Sequence, residues 1–184
     1  MLWLYITIWV VAVLVVYVIT KYNAIVKLRN IRGQSFADVD VQLKLRFDLI
    51  PNLIETVKWY ATHEKDTLEN VTKARTSFMN ATWIEDKMDA DNMLTWALKS
   101  LFAVSENYPD LKANQNFLQM QSELSDIENK IAAARRFFNN ATQEYNTYIQ
   151  MFPSNIVAWA FNFNEERLFS VSSPEERENV KVSF

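Results

Sequence analysis

Cysteine is absent from this 184-residue chain, glycine and histidine occur once each, and proline occurs four times. Each shortage excludes a chemistry. Without cysteine there are no disulfides, thiolate nucleophiles or thiolate zinc sites. One histidine excludes metal sites built on paired imidazoles. One glycine leaves almost no residue suited to the positive φ of dinucleotide-binding turns, phosphate loops and tight hairpins. Charge of either sign is not in excess: 19 Lys and Arg stand against 22 Asp and Glu, for a net charge of −3. With a pI near 5.3 and no recognition motif, nucleic acid is not an expected partner.

What the chain does have is apolar sequence, 49% of its residues, unevenly spread. Residues 1–19, MLWLYITIWVVAVLVVYVI, are apolar except Thr7. Leu2 to Ile19 makes about 27 Å of helix, near the lower limit for a hydrocarbon layer of about 30 Å. Trp3, Tyr5 and Trp9 towards one end, and Tyr17 and Tyr22 towards the other, suit the aromatic belts of a membrane interface. A secretory signal would need basic side chains before the apolar run and small residues after it. Val18-Ile19-Thr20-Lys21-Tyr22 offers no such cleavage site. The expectation is a retained anchor marked by Leu2, Trp3, Trp9, Tyr17 and Ile19. Lys21, Lys27, Arg29 and Arg32 follow it with no acid among residues 20–34. The positive-inside rule then places the rest of the chain in the cytoplasm, with a short N-terminus outside. The same bases are expected close to anionic headgroups.

Beyond the anchor the apolar spacing is helical. Phe36, Val39, Leu43, Ile50, Leu53, Val57 and Tyr60 form a stripe that continues through Val71, Ala74 and Phe78. Residues up to Asn80 read as one bent helix of about 90 Å or as two helices broken near Gly33 or Pro51. Residues 81–89 read as a turn, with Asp89 capping a second helix whose inward residues are Met93, Trp96, Ala97, Phe102 and Val104. Asp110 is expected to cap the next one. There Phe117, Met120, Leu124, Ile127, Ile131, Ala134, Phe138, Ala141, Tyr145, Tyr148 and Phe152 alternate by three and four, the seam of a bundle or coiled coil. Pro153 is expected to stop that helix, with Ser154 and Asn155 as caps. The fold class is all-α: an N-terminal transmembrane helix (residues 1–20), an elongated antiparallel four-helix bundle (21–165) and a polar C-terminal tail (166–184).

Several motifs together resemble the LemA family of bacterial membrane-anchored helical proteins. They are Tyr22-Asn23, Asp40-Val41-Gln42-Leu43-Lys44, Arg46-Phe47-Asp48-Leu49-Ile50-Pro51-Asn52-Leu53, Tyr60-Ala61-Thr62-His63-Glu64 and Ala74-Arg75. Downstream come Glu106-Asn107-Tyr108-Pro109-Asp110-Leu111-Lys112-Ala113, Glu123, Glu128, Ala134-Arg135, Asn139, Tyr145-Asn146 and Phe152-Pro153. Phe137-Phe138, where a tyrosine often precedes the asparagine, and the short tail depart from the pattern. The resemblance covers nearly the whole chain and implies a transmembrane helix attached to a long four-helix bundle. It brings no enzymatic activity with it. With the resemblance, the expected membrane is the bacterial inner membrane. Some relatives are linked with magnetosome membranes and others lie near genes for a membrane zinc protease, associations that carry no residue-level function to this chain.

The polar residues read as structure. Arg46 occupies a stripe position, so it is expected to be partly buried and to need a carboxylate. Glu106, Glu123 and Glu128 are the candidate partners, and Asp48 and Asn52, one turn apart, complete a network that fixes helix register. A ligand cluster or a partner-binding patch is the sharper reading of the same residues. His63-Glu64 lacks the second histidine of a zinc helix, because residue 67 is threonine, so His63 reads as a hydrogen-bonded packing residue. Glu123, Asp126 and Glu128 do not make a calcium loop. Ser77, Ser100, Ser105 and Ser122 lack a nucleophile arrangement. No catalytic residue, metal or cofactor is expected.

Asparagine is a poor helix-interior residue, so Asn139, Asn140 and Asn146 in the strongest helix imply bonds across the bundle or a surface used for assembly. Phe137 falls beside the seam. Ile156–Phe163, short and aromatic, reads as a cap closing the bundle or as an interfacial or subunit-contact segment anchored by Trp159, Phe161 and Phe163. The candidate assembly surface is therefore Phe137, Asn139, Asn146, Trp159, Phe161 and Phe163. The functional expectation is a non-enzymatic scaffold on the lipid bilayer, a homo-oligomer or a recruiter of another membrane protein. Membrane shaping by clustering, and a ligand-sensing or accessory role beside a membrane protease, are the alternatives.

Overall fold

In a computed structural model that describes residues 1–169, every regular element is a helix. They are α1 (Leu2–Tyr60), α2 (Lys65–Asn80), α3 (Ile84–Ser105), α4 (Pro109–Lys112), α5 (Gln115–Gln150) and α6 (Ser154–Ala160). Of the expected tail at 166–184, residues 170–184 lie outside the described residues.

The first helix breaks at neither expected place. It runs through Gly33 and through Pro51 and ends at a turn of residues 61–64. Gly33 is exposed, and a Cβ there would meet nothing within 4 Å, so glycine serves no close approach and the helix simply tolerates it. Pro51 also lies on the exposed side, where water can take the carbonyl that its missing N–H leaves free. The turn falls instead at Thr62 and His63, both weak helix formers. Its amides are held by bonds from Ala61 N–H to the Val57 carbonyl and from Glu64 N–H to the Ala61 carbonyl.

The third helix begins five residues before Asp89. Only residues 81–83 separate it from α2, and Glu85 and Asp86 occupy its first turn, where carboxylates favour the positive end of the helix dipole. The inward residues also differ from the expected set. Met88, Ala90, Asp91, Leu94, Ala97, Leu98, Leu101 and Ser105 are buried, whereas Met93 and Trp96 are exposed and Phe102 and Val104 are half-buried.

Asn114, not Asp110, caps α5: its Oδ1 accepts the Phe117 N–H at 3.0 Å. Asp110 sits in the first turn of the short α4, behind Pro109 at the first helical position. The long seam is buried at Phe117, Met120, Leu124, Ile131, Phe138, Ala141, Tyr145 and Ile149. Its expected last member, Phe152, lies past the end of α5 and is exposed. Ser154 does not cap α6 forward. Its hydroxyl donates back to the carbonyls of Tyr148 and Met151, at 2.7 and 2.9 Å.

The chain divides into two compact units. One comprises Met1–Asp38 and Ala134–Leu168; the other holds Val39–Ala133. In the first, Ile25, Tyr145, Ile149, Val157 and Ala158 form a core against which Val18, Leu28, Tyr148 and Phe163 pack. In the second, the Phe47 ring of α1 stacks on Phe78 of α2, centroids 3.9 Å apart, and α2 packs along α3. Phe102 meets Phe117 edge-on at 6.1 Å.

Candidate functional site

Three arrangements carry the chemistry that the sequence singles out. The first surrounds Arg46. Its position on the apolar stripe buries the guanidinium, and carboxylates arrive from two other helices. Nη1 donates to Asp91 Oδ1 on α3 at 2.8 Å and to Thr95 Oγ1 at 3.1 Å. Nη2 lies 3.1 Å from Glu128 Oε2 on α5. The Asp91 side chain is 0% exposed and that of Glu128 is 41% exposed. Burial pulls the Arg46 pKa below its ordinary value, and the Glu128 charge opposes that shift. Arginine keeps its proton in such a site, so the cluster is a charged tie across α1, α3 and α5.

Of the expected network, the structure brings Glu128 to Arg46 and leaves the others elsewhere. Asp48 and Asn52 are exposed on α1. Burial selects against them: both follow Arg46 on the water side of the stripe. Glu106 pairs with Lys112, and Glu123 accepts a bond from Gln119 one turn away, at 2.9 Å. Asp91 was missed. It lies two residues past the expected cap Asp89 and shares the buried face of α3 with Met88, Leu94 and Leu98.

The second arrangement joins residues 164–166 to α1 and α5. Asn146 is buried and forms two bonds with the Glu166 backbone, Nδ2 donating to its carbonyl at 2.8 Å and Oδ1 accepting its N–H at 2.9 Å. It therefore does not belong to an exposed assembly surface. The Tyr145 hydroxyl donates to the Asn164 carbonyl at 3.0 Å. Burial, then the Glu166 charge, raise the Tyr145 pKa, while Arg29 and Arg32 oppose the rise. Arg32 Nη2 is 3.2 Å from Glu166 Oε2, and its guanidinium lies over the Phe138 ring at 5.0 Å. Arg32 is thus buried against protein and not beside lipid headgroups. Lys27 and Arg29 remain exposed.

The third is apolar and uncovered. Leu2 to Val16 are exposed throughout, and the most apolar 18-residue stretch of α1 has none of its residues buried. It is the one helix among the described residues long and apolar enough to cross a membrane. Trp159, Phe161 and Phe137 are exposed, Phe163 and Asn139 half-buried. Tyr22 stacks at a tilt against Phe161 and Phe163, at 4.9 and 5.6 Å.

His63 is exposed in the turn after α1 and is not the packing residue expected. Its neighbour Glu64 accepts the Tyr108 hydroxyl at 3.0 Å, a bond that raises the tyrosine pKa. No group of three or more His, Asp or Glu that could hold a metal occurs among the described residues. A shallow open cleft between the end of α1 and the start of α5 is lined by Asn52, Glu55, Thr56, Trp59, Tyr60, Asn114 and Asn116. In it the Thr56 hydroxyl donates to the Asn52 carbonyl at 3.0 Å, and the Tyr60 hydroxyl accepts from Asn114 Nδ2 at 2.9 Å.

An all-helical chain with a single uncovered apolar helix at its N-terminus is the class of a membrane-associated helical protein. The LemA family model matches residues 35–184, and the chain belongs to the LemA family. Protein LemA of Metamycoplasma hominis is 26% identical over 160 residues, covering 84% of this chain and 71% of that protein. Magnetosome protein MamQ 2 of Paramagnetospirillum magneticum and Magnetosome protein MamQ of Magnetospirillum gryphiswaldense are each 23% identical over 175 residues. These matches cover 81% of this chain and 64% of the relatives' length.

Proposed function

We propose that this protein is a non-enzymatic scaffold anchored in the bacterial inner membrane by residues 2–19, with α1, α2, α3 and α5 as a four-helix bundle that assembles with further copies. The observation that carries the reading is the uncovered apolar stretch of α1, which passes without a break into packed helix. Apolar surface of that length is strongly unfavourable in water and favourable in hydrocarbon. The exposed Phe137, on a helix whose seam is already filled, supports a contact with another copy. Lys21, Lys27 and Arg29 support a cytoplasmic bundle. The Arg46 tie and the Asn146 clamp each join separate stretches of chain within their own unit, which supports a structural role for both.

The test is the mass of the full chain in lipid nanodiscs at micromolar concentration, together with crosslinking in native membranes. The expected result is a multimer whose crosslinks include the Phe137 face. A strictly monomeric particle refutes self-assembly, and crosslinks only to another membrane protein replace it with partner recruitment. Because the chain lacks cysteine, Lys99→Cys gives a single labelling site on exposed helix. Its reaction with an impermeant maleimide in intact spheroplasts would overturn the cytoplasmic placement.

A further inference from the structure

The segment from Met151 to Phe163 contains no charged residue and is apolar on two faces. One face is accounted for: Val157 and Ala158 pack into the core with Ile25, Tyr145 and Ile149. The other is not. Trp159 is 85% exposed, Phe152 78% and Ile156 57%, and Met151 and Phe161 are more than half exposed as well. This uncharged segment turns several large apolar side chains to water, beside only the polar Asn155 and Asn162.

Its place along α1 says what covers it. Val18, in the last turn of the apolar span, packs against the same core as α6, and Tyr22 touches Phe161 and Phe163. Tyr22 is three residues past Ile19, about 4.5 Å further along the helix. The headgroup layer on each side of the hydrocarbon is about 5–8 Å deep. With Ile19 at the hydrocarbon edge, Tyr22 and the aromatic segment bound to it stand at headgroup depth. Lys21 lies over the Tyr17 and Tyr148 rings, 5.6 Å from each centroid, so a cation is held at the same level.

We propose that α6 and its flanks, from Met151 to Phe163, are a second membrane contact. Ile156, Trp159 and Phe161 enter the interface of the leaflet from which α1 emerges, so the protein is held by one spanning helix and one interfacial helix. Tryptophan suits this depth because its indole has both an apolar body and a polar N–H. The occupant is lipid and not a second copy, because Val18 of the span packs on the core that α6 shares and Tyr22 just beyond it touches Phe161 and Phe163, which sets the segment at the membrane edge. The inference rests on the membrane-anchor reading above.

The experiment places single nitroxides on the full chain in phosphatidylethanolamine–phosphatidylglycerol nanodiscs, using Ile156→Cys, Leu14→Cys and Arg136→Cys. Leu14 reports the span. Arg136 is exposed and adjoins Phe137–Phe138, and Phe138 meets Phe36, about 25 Å of helix beyond Ile19. Accessibility to oxygen and to a water-soluble nickel chelate is then compared. The expected result is hydrocarbon depth at 14, a depth near the phosphates at 156 and full aqueous accessibility at 136. Residue 156 as accessible to nickel as residue 136, with residue 14 in hydrocarbon, overturns the inference and leaves the anchor standing. Residue 14 in water overturns the anchor, and the inference with it. Spin–spin broadening at 156 that grows with protein-to-lipid ratio, with little access to either reagent, assigns the face to another copy and also overturns the inference.

Discussion

Replacing Arg46 by methionine leaves the Asp91 carboxylate with no exposed surface and without its guanidinium. Removing one partner of a buried pair costs about 3–5 kcal/mol, since the remaining charge loses its counter-ion away from water. Glu128 belongs to a different regime. Its side chain is 41% exposed, water screens it, and Glu128→Gln should cost no more than about 1 kcal/mol. The decisive comparison is the double replacement Arg46→Met with Asp91→Leu, which removes both charges and keeps apolar volume. It should return stability to within about 1 kcal/mol of the parent, because the desolvation penalty disappears with the attraction. The assay is amide hydrogen exchange of the full chain in nanodiscs, read on the slowest amides of residues 39–50 and 88–98. A loss of about 3 kcal/mol appears there as exchange over a hundredfold faster, provided those amides open with their unit. Exchange accelerated by less than tenfold in Arg46→Met, or a double variant no more stable than the single one, would show that the tie is not what holds these helices in register.

Three further outcomes follow from the geometry. Asn146→Ala removes both bonds to the Glu166 backbone and should cost about 1–3 kcal/mol, with the Glu166 amide showing the largest gain in exchange; no change there would refute the clamp. Tyr145 is 1% exposed and its pKa is raised in the folded protein, so its stabilisation is complete below about pH 10 and is lost as pH climbs through the higher folded value. Tyr145→Phe should abolish that part of the alkaline loss of stability, which is measurable as denaturation midpoints against pH. Asn114→Ala deletes the cap on Phe117 and should weaken the first turn of α5 by about 1 kcal/mol, visible as faster exchange at residues 116–118 with α3 unaffected.

The features legible in the sequence are those set by local pattern. The apolar run, the stripe of α1 and the seam of α5 follow from periodicity, which needs no knowledge of neighbours. The need of Arg46 for a carboxylate was legible too, because it interrupts an apolar stripe, and Glu128 was among the named partners. Asp91 was not legible: a carboxylate gives no local sign of burial, and the inward face of α3 was placed on Met93 and Trp96, which are exposed. One helix through Gly33 and Pro51 was among the readings open to the sequence, and both fall on solvent-facing positions where a helix tolerates them. The turn at residues 61–64 was not legible, because the apolar stripe runs on from Tyr60 towards Val71 without marking it. The clamp on Glu166 depends on a contact twenty residues away in sequence from Asn146, in a stretch whose polarity looks like that of a tail.

The unbroken passage of α1 from the span into Ile25 has a geometric consequence of phase. Each residue of an α-helix turns the next by about 100° and advances it by about 1.5 Å. The azimuth of the lipid-facing surface and that of the face carrying α6 are therefore locked together like teeth cut on one shaft. One residue inserted between Leu14 and Val15 would swing Trp3 and Trp9 by more than a quarter turn against Trp159, while four would restore their bearing to within about 40° with an added rise of about 6 Å. Whatever neighbours the span meets in the bilayer, their direction is transmitted as a compass bearing to the face that emerges.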